Sequence, residues 1–138
     1  MGVVQENKVE KIGGALLMAI QLKRIYESSA EDDGIRILVD RLWPRGVSKE
    51  KAKLDYWLKD IGPSHELRKW FNHDPDKFSD FKKRYQAELE SGEQNKALKK
   101  LKAIVTEHKD QKNITLLFAT REVSFNHVVV LLEILNGF

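Results

Sequence analysis

The sequence predicts one small α/β domain, a parallel or mixed sheet with helices packed on it. Ile35 to Val39 and Ile114 to Phe118 are short apolar runs of the kind that form strands covered on both faces. Between them, apolar residues recur at i, i+3 and i+4, the helical period. Strands separated by helices of this length are joined by right-handed crossovers, which sets them parallel in a shared sheet. At 138 residues the chain is the size of one ordinary domain.

The elements follow in order. Residues 1–17 are polar, then small and apolar, and read as a poorly ordered extension or leader ahead of the domain at 18–138. From Ile20 to Tyr26 apolar and charged residues roughly alternate, with Ile20, Leu22 and Tyr26 on one face, as in a strand near a sheet edge. Ser28 to Gly34 is a polar turn. In the run Ile35 to Asp40, Ile35, Ile37 and Val39 share one face, and Arg36, Leu38 and Asp40 the other.

Ser48 is placed to cap a short helix through Lys53, and a further short helical piece is expected over Leu54 to Lys59. Ser64 caps a helix whose Leu67, Trp70 and Phe71 fall on one side. Asp74-Pro75 is a second start signal, a capping carboxylate followed by proline at the first helical position. Behind it Phe78, Phe81, Tyr85 and Leu89 draw one stripe, expected to end near Gly92. Glu93 to His108 repeats the pattern, Ile114 to Phe118 is a second buried strand, and Asn126 to Leu135 is a closing helix.

Composition narrows the chemistry. Hydrophobic residues at 41% and charged residues at 33% suit a folded chain rather than a disordered one. The net charge of +3 permits anionic ligands, but acids interleave with the lysines, so nucleic-acid binding is only weakly supported. With no cysteine, disulfides, thiolate chemistry and Cys-based zinc sites are excluded. The four histidines show no HExxH spacing, and neither a metal nor a cofactor is expected. No apolar run is long enough to span a bilayer, and a cytoplasmic location is expected.

Two segments carry candidate chemistry. Asp40 to Gly46 offers two guanidinium groups, an indole and a carboxylate at the end of a buried strand, where ligands of open α/β sheets collect. Arg41 and Arg45 suit bidentate carboxylate or phosphate recognition, and Trp43 can stack on a planar ring. Pro44 stiffens the loop, and Trp43-Pro44 is a candidate cis bond. In the second segment, Ser124 is the expected N-cap, placing Phe125, Asn126 and His127 in a first helical turn.

If the two buried strands are parallel, both segments meet in one pocket. There, neutral His127 could act as general acid or base with Asp40 as its partner, and Asn126 as a donor to developing charge. The competing reading is a structural clasp in which Asn126 and His127 cap the helix and bond Asp40, with Trp43 plugging the core. His73 either lines the same pocket or ends its helix, and Arg68 is expected on a solvated helix face or paired with Glu66 or Asp74.

The runs DGIRILVDRLWPRG, WLKDIGPSHELRKWFNHDP and FNHVVVLLE together resemble the DUF488 family in its YeaO-like branch, over essentially Met18 to Phe138. The resemblance implies a three-layer, Rossmann-like fold and Met18 as the usual family start. Asp40, Arg41, Trp43, Arg45, Arg68, Trp70, His73, Asn126 and His127 match the family pattern, while Val128 stands where that pattern has alanine. A distant branch carries cysteines near its C-terminus. This chain has none, so no thiol role is implied. The family itself is uncharacterised.

The leading expectation is therefore a pocket for an anionic small molecule, nucleotide-like among the candidates. Arg41 and Arg45 would hold the anion, Trp43 would flank it, and Asn126 with His127 would orient or protonate it. Hydrolysis or group transfer by His127 and Asp40 is the enzymatic version. The alternative is a non-catalytic module for nucleic acid or a protein partner, the polar cluster being structural.

Overall fold

The computed structural model describes residues 10–12, 15–17 and 19–138. Strands β1 (Glu10–Ile12) and β2 (Ala15–Leu17) pair antiparallel as a separate two-stranded ladder. The rest of the predicted leader lies outside the described residues.

The main sheet contains β3 (Ile20–Arg24), β4 (Ile35–Leu38), β5 (Tyr56–Trp57) and β6 (Ile114–Phe118) in the spatial order β3-β6-β4-β5, all parallel. The last long strand is thus inserted between the first two, and every residue of β4 and β6 is buried. Neither strand alternates in polarity, because both faces of the sheet are covered. No helix of the described residues is long and apolar enough to cross a membrane.

The period-two reading sorts these side chains correctly. Ile35, Ile37 and Val39 join Leu116 and Phe118 in the larger core cluster with residues of α2 (His65–Phe71), α3 (Phe78–Glu88), α4 (Gly92–His108) and α5 (His127–Asn136). Leu38 and Leu117 point the other way, into a smaller cluster with Ile25 and with Ala52 of α1 (Lys49–Ala52), against which Trp43, Val47 and Leu54 pack. Three layers result.

Ser48 and Ser64 cap their helices as expected, accepting from Lys51 N and Leu67 N at 3.1 Å each. Three local expectations are corrected. Leu54 to Leu58 is not helical: Lys53 turns left-handed at φ 47°, and the chain runs beside β4 as β5 before a short 3-10 turn opens at Lys59. Asp55 N donates to Arg36 O at 2.9 Å and Leu58 N to Leu38 O at 2.9 Å. The open edge of β4 needed those partners more than the segment needed a helical turn. Gly92 does not end α3 but opens α4.

Asn126, not Ser124, caps α5. The Glu122 carboxylate accepts from Ser124 N and Phe125 N at 2.9 and 3.2 Å, which holds those residues outside the helix.

Candidate functional site

The site lies at the carboxyl end of the sheet, where β4 and β6 stop side by side. Val39 N donates to Leu117 O at 3.1 Å, and Asp40 then leaves the ladder. The Asp40 Oδ2 replaces a strand partner by accepting from Ala119 N at 2.9 Å. Its Oδ1 lies 3.2 Å from Nε2 of His127, the first residue of α5, and that nitrogen is also 3.0 Å from Val39 O. Two distant segments therefore meet because β6 lies next to β4 in the sheet. The buried Tyr85 ring packs in a T-shaped arrangement with the imidazole, centroids 6.2 Å apart.

Arg41 points into the wall opposite. Its Nε donates to Pro63 O at 2.9 Å and its Nη2 to Gly62 O at 2.8 Å, so the guanidinium fixes the loop before α2. Gln94 Nε2 also reaches Gly62 O at 2.9 Å, the Glu88 carboxylate accepts from Ser64 N at 2.8 Å, and Tyr85 Oη donates to Ile61 O at 2.6 Å. Complete burial pushes the Tyr85 phenol well above its usual range, so it stays a donor. An added Cβ at Gly62 would come within 3.1 Å of Arg41 Cγ, the approach that a glycine permits.

Trp43 is half-buried. Its Nε1 donates to Val47 O at 2.7 Å, and its ring meets the Trp57 edge at 5.4 Å, so much of the indole is committed to packing on the sheet. The Trp43-Pro44 bond is trans. Arg45 is exposed, and among the described residues its side chain has no ion pair or hydrogen bond; only its carbonyl is used, accepting from Tyr26 Oη at 3.0 Å.

Asn126 is buried, and its amide oxygen and nitrogen are both bonded within the chain. Its Oδ1 accepts from Val128 N at 2.9 Å and Val129 N at 3.1 Å, and its Nδ2 donates to Glu122 O at 2.6 Å. It shapes the pocket and braces the turn that presents His127. His73 sits beyond the left-handed cap of α2, itself at φ 56°, and faces the same opening.

These residues enclose a cavity of about 370 Å³. Its polar wall includes Asp40, Arg41, Arg45, Arg68, His73 and His127, and its apolar wall Leu42, Pro44, Phe71 and Phe81. Arg68 was expected on a solvated face; it is exposed, but on the cavity side of α2. The signal was available, because Arg68 stands at i−3 from Phe71 and residues so spaced share a helix side. Thr120, which opens the second candidate segment but had no role expected of it, also lines the cavity. It is placed by Arg24, whose guanidinium donates to Ala119 O and Thr120 O at 2.8 and 3.0 Å. Among the described residues no cluster of His, Asp or Glu is arranged to hold a metal.

What the site offers is two partner-free guanidinium groups, Arg45 and Arg68, and a third, Arg41, held by main-chain carbonyls, beside one carboxylate–imidazole pair and a hydrophobic floor.

Comparison with known proteins adds relatives. A family profile described as "Inactive DUF488-N3 subclade" matches residues 19–137. The uncharacterized protein YeaO of Escherichia coli (strain K12) is 42% identical over 120 residues, covering 87% of this chain and 99% of the relative. The uncharacterized protein Rv3073c of Mycobacterium tuberculosis (strain ATCC 25618 / H37Rv) is 40% identical over 118 residues, covering 86% and 94%. No solved structure matches the chain.

Proposed function

The chain belongs to the DUF488 family, in its YeaO-like branch, and from that premise we propose that it binds an anionic small molecule, nucleotide-like among the candidates, in the Asp40–His127 cavity. One observation carries the reading. Arg45 and Arg68 line that cavity, and neither has an ion-pair or side-chain hydrogen-bond partner among the described residues. Arg41, by contrast, is occupied with Gly62 and Pro63, so its role is to hold the wall. The word "inactive" in the description of the matching subclade favours binding over turnover. A cytoplasmic site of action belongs to the same proposal.

A second reading, hydrolysis or group transfer with His127 as base and Asp40 as its orienting carboxylate, has the 3.2 Å contact between them in its favour. A nucleic-acid interface is less favoured, because the partner-free arginines line a concavity rather than an exposed stripe.

A thermal-shift panel of nucleotides, sugar phosphates and inorganic phosphate tests the proposal. At least one compound should raise the midpoint of the wild type and leave Arg45→Ala unmoved. Product formation from that compound would replace the binding reading with the enzymatic one. A panel without a single hit would overturn the pocket.

A further inference from the structure

The His127 ring has two nitrogens in different surroundings. Nε2 faces Val39 O at 3.0 Å and Asp40 Oδ1 at 3.2 Å. A main-chain carbonyl and an ionised carboxylate only accept hydrogen bonds, so Nε2 must carry the hydrogen. Nδ1 has no partner among the described residues. Yet no side-chain polar atom there is both sealed from solvent and unpartnered. Nδ1 is therefore open, and the cavity is the open space that His127 lines. The neutral ring shows the cavity a lone pair, and the protonated ring shows it an N–H.

The charged groups around the ring give this difference a consequence. Asp40 lies against Nε2, and Tyr85 covers the ring from α3. Arg41, Arg45, Arg68 and His73 surround the cavity. Glu122, in the loop before α5, has its Oε2 taken by Ser124 N and Phe125 N. In the empty cavity a second ring proton adds to a cationic wall; a bound dianion screens that wall and accepts from the new N–H. The available donors arrive from three elements: Arg45 in the loop after β4, Arg68 on α2 and His127 on α5. A tetrahedral oxyanion presents oxygens in three directions, whereas a carboxylate presents two in one plane.

We infer that the cavity takes a tetrahedral dianion, the terminal phosphate of a phosphomonoester or its inorganic equivalent, and that binding is coupled to uptake of one proton at His127 Nδ1. This rests on the anion-pocket reading and adds to it the ligand's head group and its pH dependence. Asp40 is then a positioning residue, which fixes the tautomer without touching the ligand.

The test uses the full chain, uniformly labelled with nitrogen-15. Long-range proton–nitrogen spectra of the ligand-free protein at alkaline pH should show Nε2 protonated and Nδ1 bare. Inorganic sulfate, which has no titratable proton near neutrality, is then titrated at several pH values, with acetate as the planar comparison. Above the pH at which the neutral ring forms, sulfate affinity should fall by up to ~10-fold per pH unit, the slope for one linked proton. His127→Gln, which can still donate an amide N–H toward Asp40 and Val39, should flatten that slope. His65→Gln and His108→Gln, outside the cavity, should not.

A bare Nε2, a slope that survives His127→Gln, or one abolished by His73→Gln alone would overturn the coupling. So would acetate binding as tightly as sulfate, for the head group. Sulfate bound without pH dependence and lost in Arg45→Ala would overturn the coupling while leaving the anion pocket standing. No sulfate response at any pH would overturn both. The tautomer spectrum needs no variant, so a misfolded His127→Gln leaves the inference exposed to refutation.

Discussion

Asp40 and His127, from opposite halves of the chain, meet with Oδ1 and Nε2 3.2 Å apart, while the other oxygen of the same carboxylate holds Ala119 N at 2.9 Å. One side chain thus joins the ends of β4 and β6 to the start of α5. Asp40→Ala would leave that N–H half-buried without its partner and the imidazole without its anchor. The expected loss of stability is about 1–3 kcal/mol, read from urea denaturation. Asp40→Asn, which keeps an acceptor, should lose less.

Arg45 and Arg41 should separate cleanly. Arg45→Ala removes a group with no partner among the described residues, and stability should stay within about 0.5 kcal/mol of wild type. Arg41→Ala strips donors from Gly62 O and Pro63 O and should cost roughly 1–3 kcal/mol. Equal midpoint changes in the two variants, measured by thermal unfolding, would contradict this division of labour.

Gly34 precedes β4 at φ 65°, and a Cβ there would lie 2.0 Å from Asn113 O. That carbonyl accepts from Ile35 N at 2.8 Å, so it cannot withdraw without opening the sheet. Gly34→Ala should therefore destabilise by more than the ~1–2 kcal/mol of left-handed strain alone. Insoluble expression or a strongly lowered urea midpoint is the expected result.

At the opposite end of the sheet from the cavity, Asp33 and Arg36 are buried together, with the half-buried Lys23 paired to the same carboxylate. Burial alone would raise its pKa, but the Ala30 N–H, Lys23 and Arg36 outweigh it and hold the carboxyl below the ordinary aspartate value. A depressed folded-state pKa contributes stability that is fully present above the unfolded value and is lost as pH falls through the folded one. Urea midpoints should therefore drop on acidification below the ordinary aspartate range, and less steeply in Asp33→Asn. Arg36→Met should cost roughly 3 kcal/mol near neutral pH, because Asp33 keeps its charge and Ala52 O loses two donors.

His73 follows Asn72 in a second consecutive left-handed conformation, at φ 56° and 47° respectively. Left-handed backbone costs a non-glycine residue about 1–2 kcal/mol. His73→Gly should relieve part of that strain and raise the unfolding midpoint while weakening sulfate binding. A variant that is less stable than wild type would show that the imidazole contributes more by packing near Phe71 than the backbone loses.

Much of this was legible locally. Apolar runs without alternation marked β4 and β6, and the side-chain spacing of α2, α3 and α4 placed their buried faces. Ser48, Ser64 and the Asp74-Pro75 pair marked starts, because capping depends on a few neighbouring atoms. One error arose where a distant partner decided, the other from a choice between neighbouring caps. Tyr56 and Trp57 became a strand because β4 had an open edge, whereas Asn126 caps α5 because its side-chain oxygen, and not that of Ser124, reaches Val128 N and Val129 N.

The sequence by itself determined the fold class, the strand and helix periods, and the loop after β4 as the place where charge concentrates; these follow from spacing and from the chemistry of adjacent residues. Only the tertiary structure decided which of the charges are spent and which remain. Arg41 is consumed by two carbonyls, the Asn126 amide oxygen by the cap it forms and the Trp43 N–H by Val47 O, while Arg45, Arg68 and the Trp43 ring line the cavity and Nδ1 of His127 has no partner among the described residues. A guanidinium has the same donors wherever it stands in a chain. What lies within hydrogen-bonding distance of it is set by the order of strands, and that order is a property of the whole folded molecule.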